Sequence, residues 1–184
     1  MSDADNPYPD LMEGVVFLLG FMGSGKTHWG KRWAAANQLE FVDLDDVIEA
    51  RAKMPITAIF ETGGEDYFRM LEAEALRDCA AGNRTIVACG GGTPCFFDNM
   101  DWMNQNGITI FISADRSDIL QRLLAGQQKR PLLKSLDQES LLNYIDDKLK
   151  EREPWYNRAH LTVRSYELSE NSFPEIITTA RSKA

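Results

Sequence analysis

The sequence predicts a three-layer α/β domain, with helices on both faces of a five-stranded parallel sheet. Three observations carry that prediction. Five short apolar runs, at 14–20, 40–44, 84–89, 107–112 and 160–164, have strand length. Helical patterns separate most of them, as right-handed βαβ units require. The first run, Val15-Val16-Phe17-Leu18-Leu19, leads into a glycine-rich octet and then into Trp29, Trp33 and Ala36 at helical spacing.

The octet, Gly20-Phe21-Met22-Gly23-Ser24-Gly25-Lys26-Thr27, satisfies Gly-x-x-x-x-Gly-Lys-Thr, the phosphate loop of nucleoside-triphosphate enzymes. Glycines let successive backbone N–H groups turn onto phosphate oxygens. Gly23, Ser24, Gly25, Lys26, Thr27 and His28 are therefore the expected nucleotide-binding residues. Lys26 is placed for the β- and γ-phosphates and the Thr27 hydroxyl for Mg²⁺. The helix that follows turns its positive end toward them. His28 belongs to its first turn and is expected to have no catalytic part.

The second run ends in Asp43-Leu44-Asp45. Ligands of α/β sheets collect at the carboxyl ends of strands. Two carboxylates two residues apart on a strand share a face. One can hold magnesium and the other a substrate hydroxyl, or Asp45 can cap the next helix. Between the second and third runs the spacing predicts a helix over 46–52, a turn over 55–61 and a long helix over 65–80. An acceptor lobe is expected near 45–80. The third run ends in Gly90-Gly91-Gly92, which serves either as a plain turn or as backbone that a ligand approaches closely.

The helical pattern stops over 125–136, where Gly126-Gln127-Gln128-Lys129-Arg130-Pro131 is polar and Arg130 is biased away from helix. This stretch reads as a solvated connection or as a lid carrying arginine onto the transferred phosphoryl group. A helix resumes after Asp137, a candidate N-cap, through Leu141, Leu142, Ile145 and Leu149.

The ordered motifs resemble the shikimate kinases. They comprise the phosphate loop, Asp43-Leu44-Asp45, Phe68-Arg69-Met70-Leu71-Glu72, the glycine run, Arg130-Pro131-Leu132-Leu133, and Arg152-Glu153-Pro154-Trp155-Tyr156. The resemblance covers about residues 14 to 165. It implies a P-loop kinase fold with an acceptor-binding lobe and a lid near 125–136. It also implies MgATP-dependent phosphorylation of the 3-hydroxyl of shikimate, on the way to aromatic amino acids. Arg69 and Arg152 would clamp the shikimate carboxylate beside the Gly90–Gly92 backbone. Asp45 would orient or deprotonate the hydroxyl, Asp43 would order magnesium through water, and Arg130 would swing onto the phosphates. Arg122 and residues 164–167 lie near the family's adenine contacts without matching them closely.

With 184 residues and no linker, the chain is expected to form one domain over 14–184 behind a flexible, acidic tail over 1–13. Net charge is −8, which disfavours a nucleic-acid surface. No apolar stretch has bilayer length and no targeting pattern is visible, so a cytoplasmic, monomeric enzyme without a membrane partner is the expectation. Cys79, Cys89 and Cys95 lack metal-site spacing and read as reduced thiols. Three rivals remain at this level, one of which, a nucleic-acid or nucleoside kinase, suits the fold but neither the carboxylate-clamping arginines nor the net charge. A gluconate-type kinase shares the loop but not the Arg69, glycine-run and Arg152 trio, and a silent nucleotide-binding module would not need Lys26 and Asp45.

Overall fold

Val15–Leu19 forms β1, and its unbroken apolar run has a simple cause: this strand is buried on both faces. The structure, a computed structural model, describes residues 13–79, 82–126, 133 and 136–184. The other strands are β2 (Glu40–Asp43), β3 (Thr85–Ala88), β4 (Ile108–Ser113) and β5 (Leu161–Arg164). They form one five-stranded sheet in the order β2-β3-β1-β4-β5, and every pairing is parallel. Val15 is opposite Thr85 on one side of β1, and Val16 is opposite Ile108 on the other. The five predicted strands are therefore all present.

Alternation along β1 divides the core into two layers. Phe17 and Leu19 face Leu44, Ile48, Ile59 and Leu76 of α2 (Leu44–Ala52) and α3 (Ile56–Cys79), with Met103 of α4 (Asn99–Asn106). Val16 and Leu18 face Trp33 of α1 (Lys26–Asn37) and Phe173 and Ile177 of α7 (Phe173–Arg181). A third cluster joins Phe21 to Ile119 and Leu123 of α5 (Arg116–Gly126) and to Leu141 and Ile145 of α6 (Gln138–Tyr156). That cluster ties the phosphate loop to α6, the helix that carries Arg152.

Asp137 caps α6 as expected, its carboxylate accepting the Ser140 N–H at 2.8 Å. The predicted turn over 55–61 is instead helix. Pro55 accepts the first hydrogen bonds, from Ala58 and Ile59, and α3 then continues to a break at Gly64 (φ 74°, ψ −176°). Only glycine adopts that conformation cheaply, so the interruption lies at the glycine pair and not before it. Residues 1–12 of the predicted tail, and 127–132, 134 and 135 of the predicted lid, lie outside the described residues. Among the described residues no helix is long and apolar enough to cross a membrane. The three cysteines are free, and burial raises their pKa values, Cys95 up to about 11. Protonated thiols of this kind are poor nucleophiles.

Candidate active site

Between β1 and α1 the chain turns through Gly23 (φ 80°) and Gly25 (φ 108°), both left-handed. Gly25 is the N-cap of α1 and offers no side chain, so the first N–H groups of the helix are open to an anion. Lys26 is buried beneath the loop, where Nζ donates to the carbonyls of Gly20 at 2.8 Å and Phe21 at 3.0 Å. Burial pushes Lys26 down to about 8, against the opposing charge of Asp45. Ser24 is fully buried, whereas Thr27 and His28 are exposed. His28 packs edge-on against Trp29, with ring centroids 5.0 Å apart. Arg122, from α5, donates to the Gly23 carbonyl at 2.8 Å and so belongs to the loop's surroundings.

Thr27 Oγ1 donates to Asp43 Oδ2 at 2.9 Å. These two hard oxygen donors lie together next to the loop, and their chemistry fits a cation that keeps most of its waters. Asp43 also acts on the backbone: its other oxygen accepts the Asp45 N–H at 3.2 Å and caps α2. Here the expected geometry is corrected. Asp43 and Asp45 do not share a strand face, because β2 ends at Asp43 and Asp45 lies in the first turn of α2. The aspartate cap starts the helix at once, ending the two-residue alternation.

The glycine run is the hub of the other half. A Cβ on Gly90 would meet Glu72 Oε1 at 2.8 Å and Asp45 Oδ1 at 3.5 Å. One on Gly91 would meet Arg152 Nη1 at 3.0 Å, with Gly20 O and Met22 N of the phosphate loop each at 3.4 Å. One on Gly92 would meet Arg69 Nη2 at 2.7 Å. Three consecutive residues therefore touch Asp45, Glu72, Arg152 and Arg69, four charged side chains from α2, α3 and α6. Their glycine identity has a packing reason: each missing methyl is occupied by a functional group.

Arg69 is 9 % exposed and Glu72 is 0 % exposed. Arg69 Nη1 donates to Glu72 Oε2 at 2.8 Å, while Nε and Nη2 reach Glu65 Oε1 at 3.3 and 3.0 Å. Thr93 Oγ1 donates to the remaining Glu72 oxygen at 2.6 Å, so this buried carboxylate is paired on both sides. Arg152 is also 9 % exposed but, among the described residues, has no carboxylate partner. It lies beside Tyr156, one helical turn later, whose hydroxyl donates to the Gly91 carbonyl at 2.6 Å. Burial raises the Tyr156 pKa, so the phenol stays a donor. For Asp45, burial is the main cause of a pKa raised to about 6; the charges of Asp43 and Glu72 push the same way and Lys26 opposes.

Gly23–Thr27, Asp43, Asp45, Arg69, the Gly90–Gly92 run and Arg152 thus lie in two adjoining clusters, with His28 exposed beside Thr27. Arg130 lies outside the described residues. Residues Arg164 to Glu167 close β5 and form a 3₁₀ turn, and Arg158 pairs with Asp101 away from the hub. Sequence reasoning gives no role to Glu72, Thr93 or Tyr156. Glu72 is visible in principle, three residues after Arg69 on one helix face, whereas Thr93 and Tyr156 give no local signal.

The family model for shikimate kinase matches residues 22–181. A shikimate kinase of Phocaeicola vulgatus is 41% identical over 155 residues, covering 84% of this chain and 89% of that protein. The crystal structure of the shikimate kinase of Bacteroides thetaiotaomicron superposes with a TM-score of 0.82 at 34% identity, covering 92% of this chain and 96% of that one. That of Acinetobacter baumannii, solved in complex with shikimate, superposes with a TM-score of 0.79 at 29% identity, covering 92% and 93%.

Proposed function

The chain belongs to the shikimate kinase family, and from that premise we propose how its residues move the γ-phosphoryl group of ATP to the 3-hydroxyl of shikimate. One observation carries the assignment of the acceptor site. Arg152 is a buried guanidinium without a carboxylate partner among the described residues, in a protein of net charge −8. A buried cation of this kind is costly unless an anion completes it. The acceptor's carboxylate is that anion, gripped between Arg152 and Arg69 with the Gly90–Gly92 backbone beside the ring.

The rest of the reading follows from placement. The α1 N-terminus and the loop N–H groups hold the phosphates. Lys26 leaves the carbonyls of Gly20 and Phe21 for phosphate oxygens, whose charge restores the full basicity that burial lowers. Thr27 and Asp43 would hold magnesium; the bound ion would neutralise charge across the phosphate oxygens. Asp45 orients the acceptor hydroxyl and takes its proton, and a pKa of about 6 leaves it ionised at neutral pH but more basic than an ordinary aspartate. Arg130 is assigned to the phosphates, and residues near 125–136 to a lid, from their motif alone. We place the acceptor lobe near 45–80, and read the enzyme as a cytoplasmic monomer. Little covalent work falls to the protein, because phosphoryl transfer is governed by positioning and charge.

The test is a coupled assay offering shikimate and gluconate separately to the parent and to Arg152→Ala. Shikimate should turn over and gluconate should not, and Arg152→Ala should raise the shikimate KM by about 100-fold, in line with a lost charge pair, at nearly constant ATP KM. An unchanged shikimate KM would remove Arg152 from the clamp.

A further inference from the structure

The turn after the glycine run contains a feature that neither the loop nor the charged groups explain. Phe96 is half-buried, and the Arg69 guanidinium carbon lies over its ring, 4.1 Å from the centroid. Phe68 is a second ring near the same cation, more distant at 5.0 Å. Phe96 is held from both sides. Before it, the 3₁₀ turn Thr93–Cys95 is pinned by the Thr93 hydroxyl on Glu72, at 2.6 Å. After it, Asn99 Nδ2 donates to the Thr93 carbonyl at 2.9 Å, and Arg77 from α3 bonds to Asp98 and Asn99.

Between these anchors Phe97 takes φ 50° while its own ring stays 67% exposed. A left-handed conformation is costly for a bulky residue, and exposing its ring adds no burial. What the turn does achieve is to bring the neighbouring Phe96 ring onto Arg69.

Arg69 needs such a support. Its Nε, Nη1 and Nη2 each donate to Glu65 or Glu72, which leaves, among the described residues, one N–H on Nη1 and one on Nη2 without a partner. Two such donors in one plane can grip a carboxylate only if that plane is correctly oriented. Hydrogen bonds from the edge resist sliding within the plane, whereas a ring against the face resists tilting out of it.

We propose that Phe96 is a positioning residue, whose ring fixes the plane of the Arg69 guanidinium so that its free N–H groups meet the acceptor's carboxylate. This inference rests on the reading of Arg69 as half of the carboxylate clamp. It adds that the grip depends on an aromatic face supplied from outside the charged cluster.

The experiment compares shikimate with its carboxamide, which keeps the ring hydroxyls but lacks the charge, in the parent, Phe96→Leu, Phe96→Met, Phe96→Tyr and Arg69→Lys. The readout is the kcat/KM preference for acid over amide. Phe96→Leu and Phe96→Met keep apolar bulk but lose the ring. Both should lower the preference by about three- to tenfold through the shikimate KM, the range expected for a partly buried cation–π contact, with kcat and ATP KM unchanged. Phe96→Tyr should restore the parent preference. An unaltered preference in Phe96→Leu or Phe96→Met overturns the proposal, as does an equal loss for acid and amide. Arg69→Lys tests the premise separately: if it keeps the parent preference, Arg69 is not in the clamp, whatever the Phe96 variants do.

Discussion

The two halves of the site are built in opposite ways. The phosphate half is local: eight consecutive residues, six between β1 and α1 and the first two of α1, form the loop, and in the proposed reading backbone N–H groups with a helix end do most of the binding. The acceptor half is assembled from α2, α3, the glycine run and α6, with buried charged side chains pressed against one another. A backbone cradle depends on glycine torsions and is insensitive to distant sequence, whereas a side-chain cluster stands or falls with its pairings. Damage to the first should therefore appear in catalysis, and damage to the second in stability and acceptor affinity.

Lys26→Ala should give the largest effect and sharpen the contrast. Loss of this charge should lower kcat by about 10³-fold or more, comparable to removal of other charges that stabilise phosphoryl transfer. The shikimate KM should change little. Folding should not suffer, since the lysine is buried at the expense of its charged form. Thermal denaturation and steady-state kinetics together check this; a falling Tm with intact kcat would reverse the assignment.

Glu72→Gln attacks the other half. Glu72 pairs with Arg69 and Thr93 while fully buried, and breaking a buried pair by removing one charge costs about 3–5 kcal/mol. Denaturant unfolding should show that loss alongside a raised shikimate KM, with ATP KM unchanged. A variant as stable as the parent would mean that Arg69 finds another partner and that the cluster is looser than its burial implies.

Asp45 links folding and chemistry with opposite signs. Its folded pKa is about 6, against an ordinary value of 3.8, so the folded state binds the proton more tightly. That contribution is fully present below about pH 4 and is lost as pH rises through 6, a difference on the order of 3 kcal/mol. The proposed role as base needs the ionised form, so kcat/KM should fall about tenfold per pH unit below 6. Asp45→Asn should remove this dependence on both measures: a protein more stable than the parent at pH 7 and poorly active. A variant less stable at pH 7 would show that the Asp45 charge is held by its neighbours, above all Lys26, and is not penalised by burial.

Legibility in the sequence divides along the same line. β1, the octet and α1 are readable because the phosphate loop is a contiguous pattern with a backbone cause. The parallel sheet is readable because strands buried on both faces become apolar runs. Arg69, Arg152 and the glycine run can be named through the ordered motifs, but their convergence cannot be read from spacing, since it depends on how α3 and α6 each pack against the segment that follows β3. Alternation alone puts Asp45 on a strand, because it ignores an aspartate that caps a helix immediately. Glu72, Thr93 and Tyr156 serve other side chains or a single carbonyl, and such service leaves no periodicity. Arg130 is read from its motif and lies outside the described residues.

The smallest change is aimed at the seam between the halves. Gly91 is the one residue of the run that touches both: a Cβ there would press Arg152 Nη1 at 3.0 Å and lie 3.4 Å from Gly20 O and Met22 N. At Gly92 a Cβ would meet Arg69 alone among these groups, at 2.7 Å. In both cases the nearest atom is the end of a long side chain, so the fold should survive, with Tm close to the parent for Gly91→Ala and lowered for Gly92→Ala, whose Cβ presses on the Arg69–Glu72 pair. Of the kinetic constants, Gly92→Ala should raise only the shikimate KM, by about tenfold, the scale of one strained charged contact. Gly91→Ala should raise it similarly and also lower kcat severalfold, because Arg152 cannot retreat without altering the distance between acceptor and phosphate loop, and a misplacement of a few tenths of an ångström already costs rate. If the two alanine variants gave the same kcat, the seam would carry no positional information, and the two halves would be independent sites that merely adjoin.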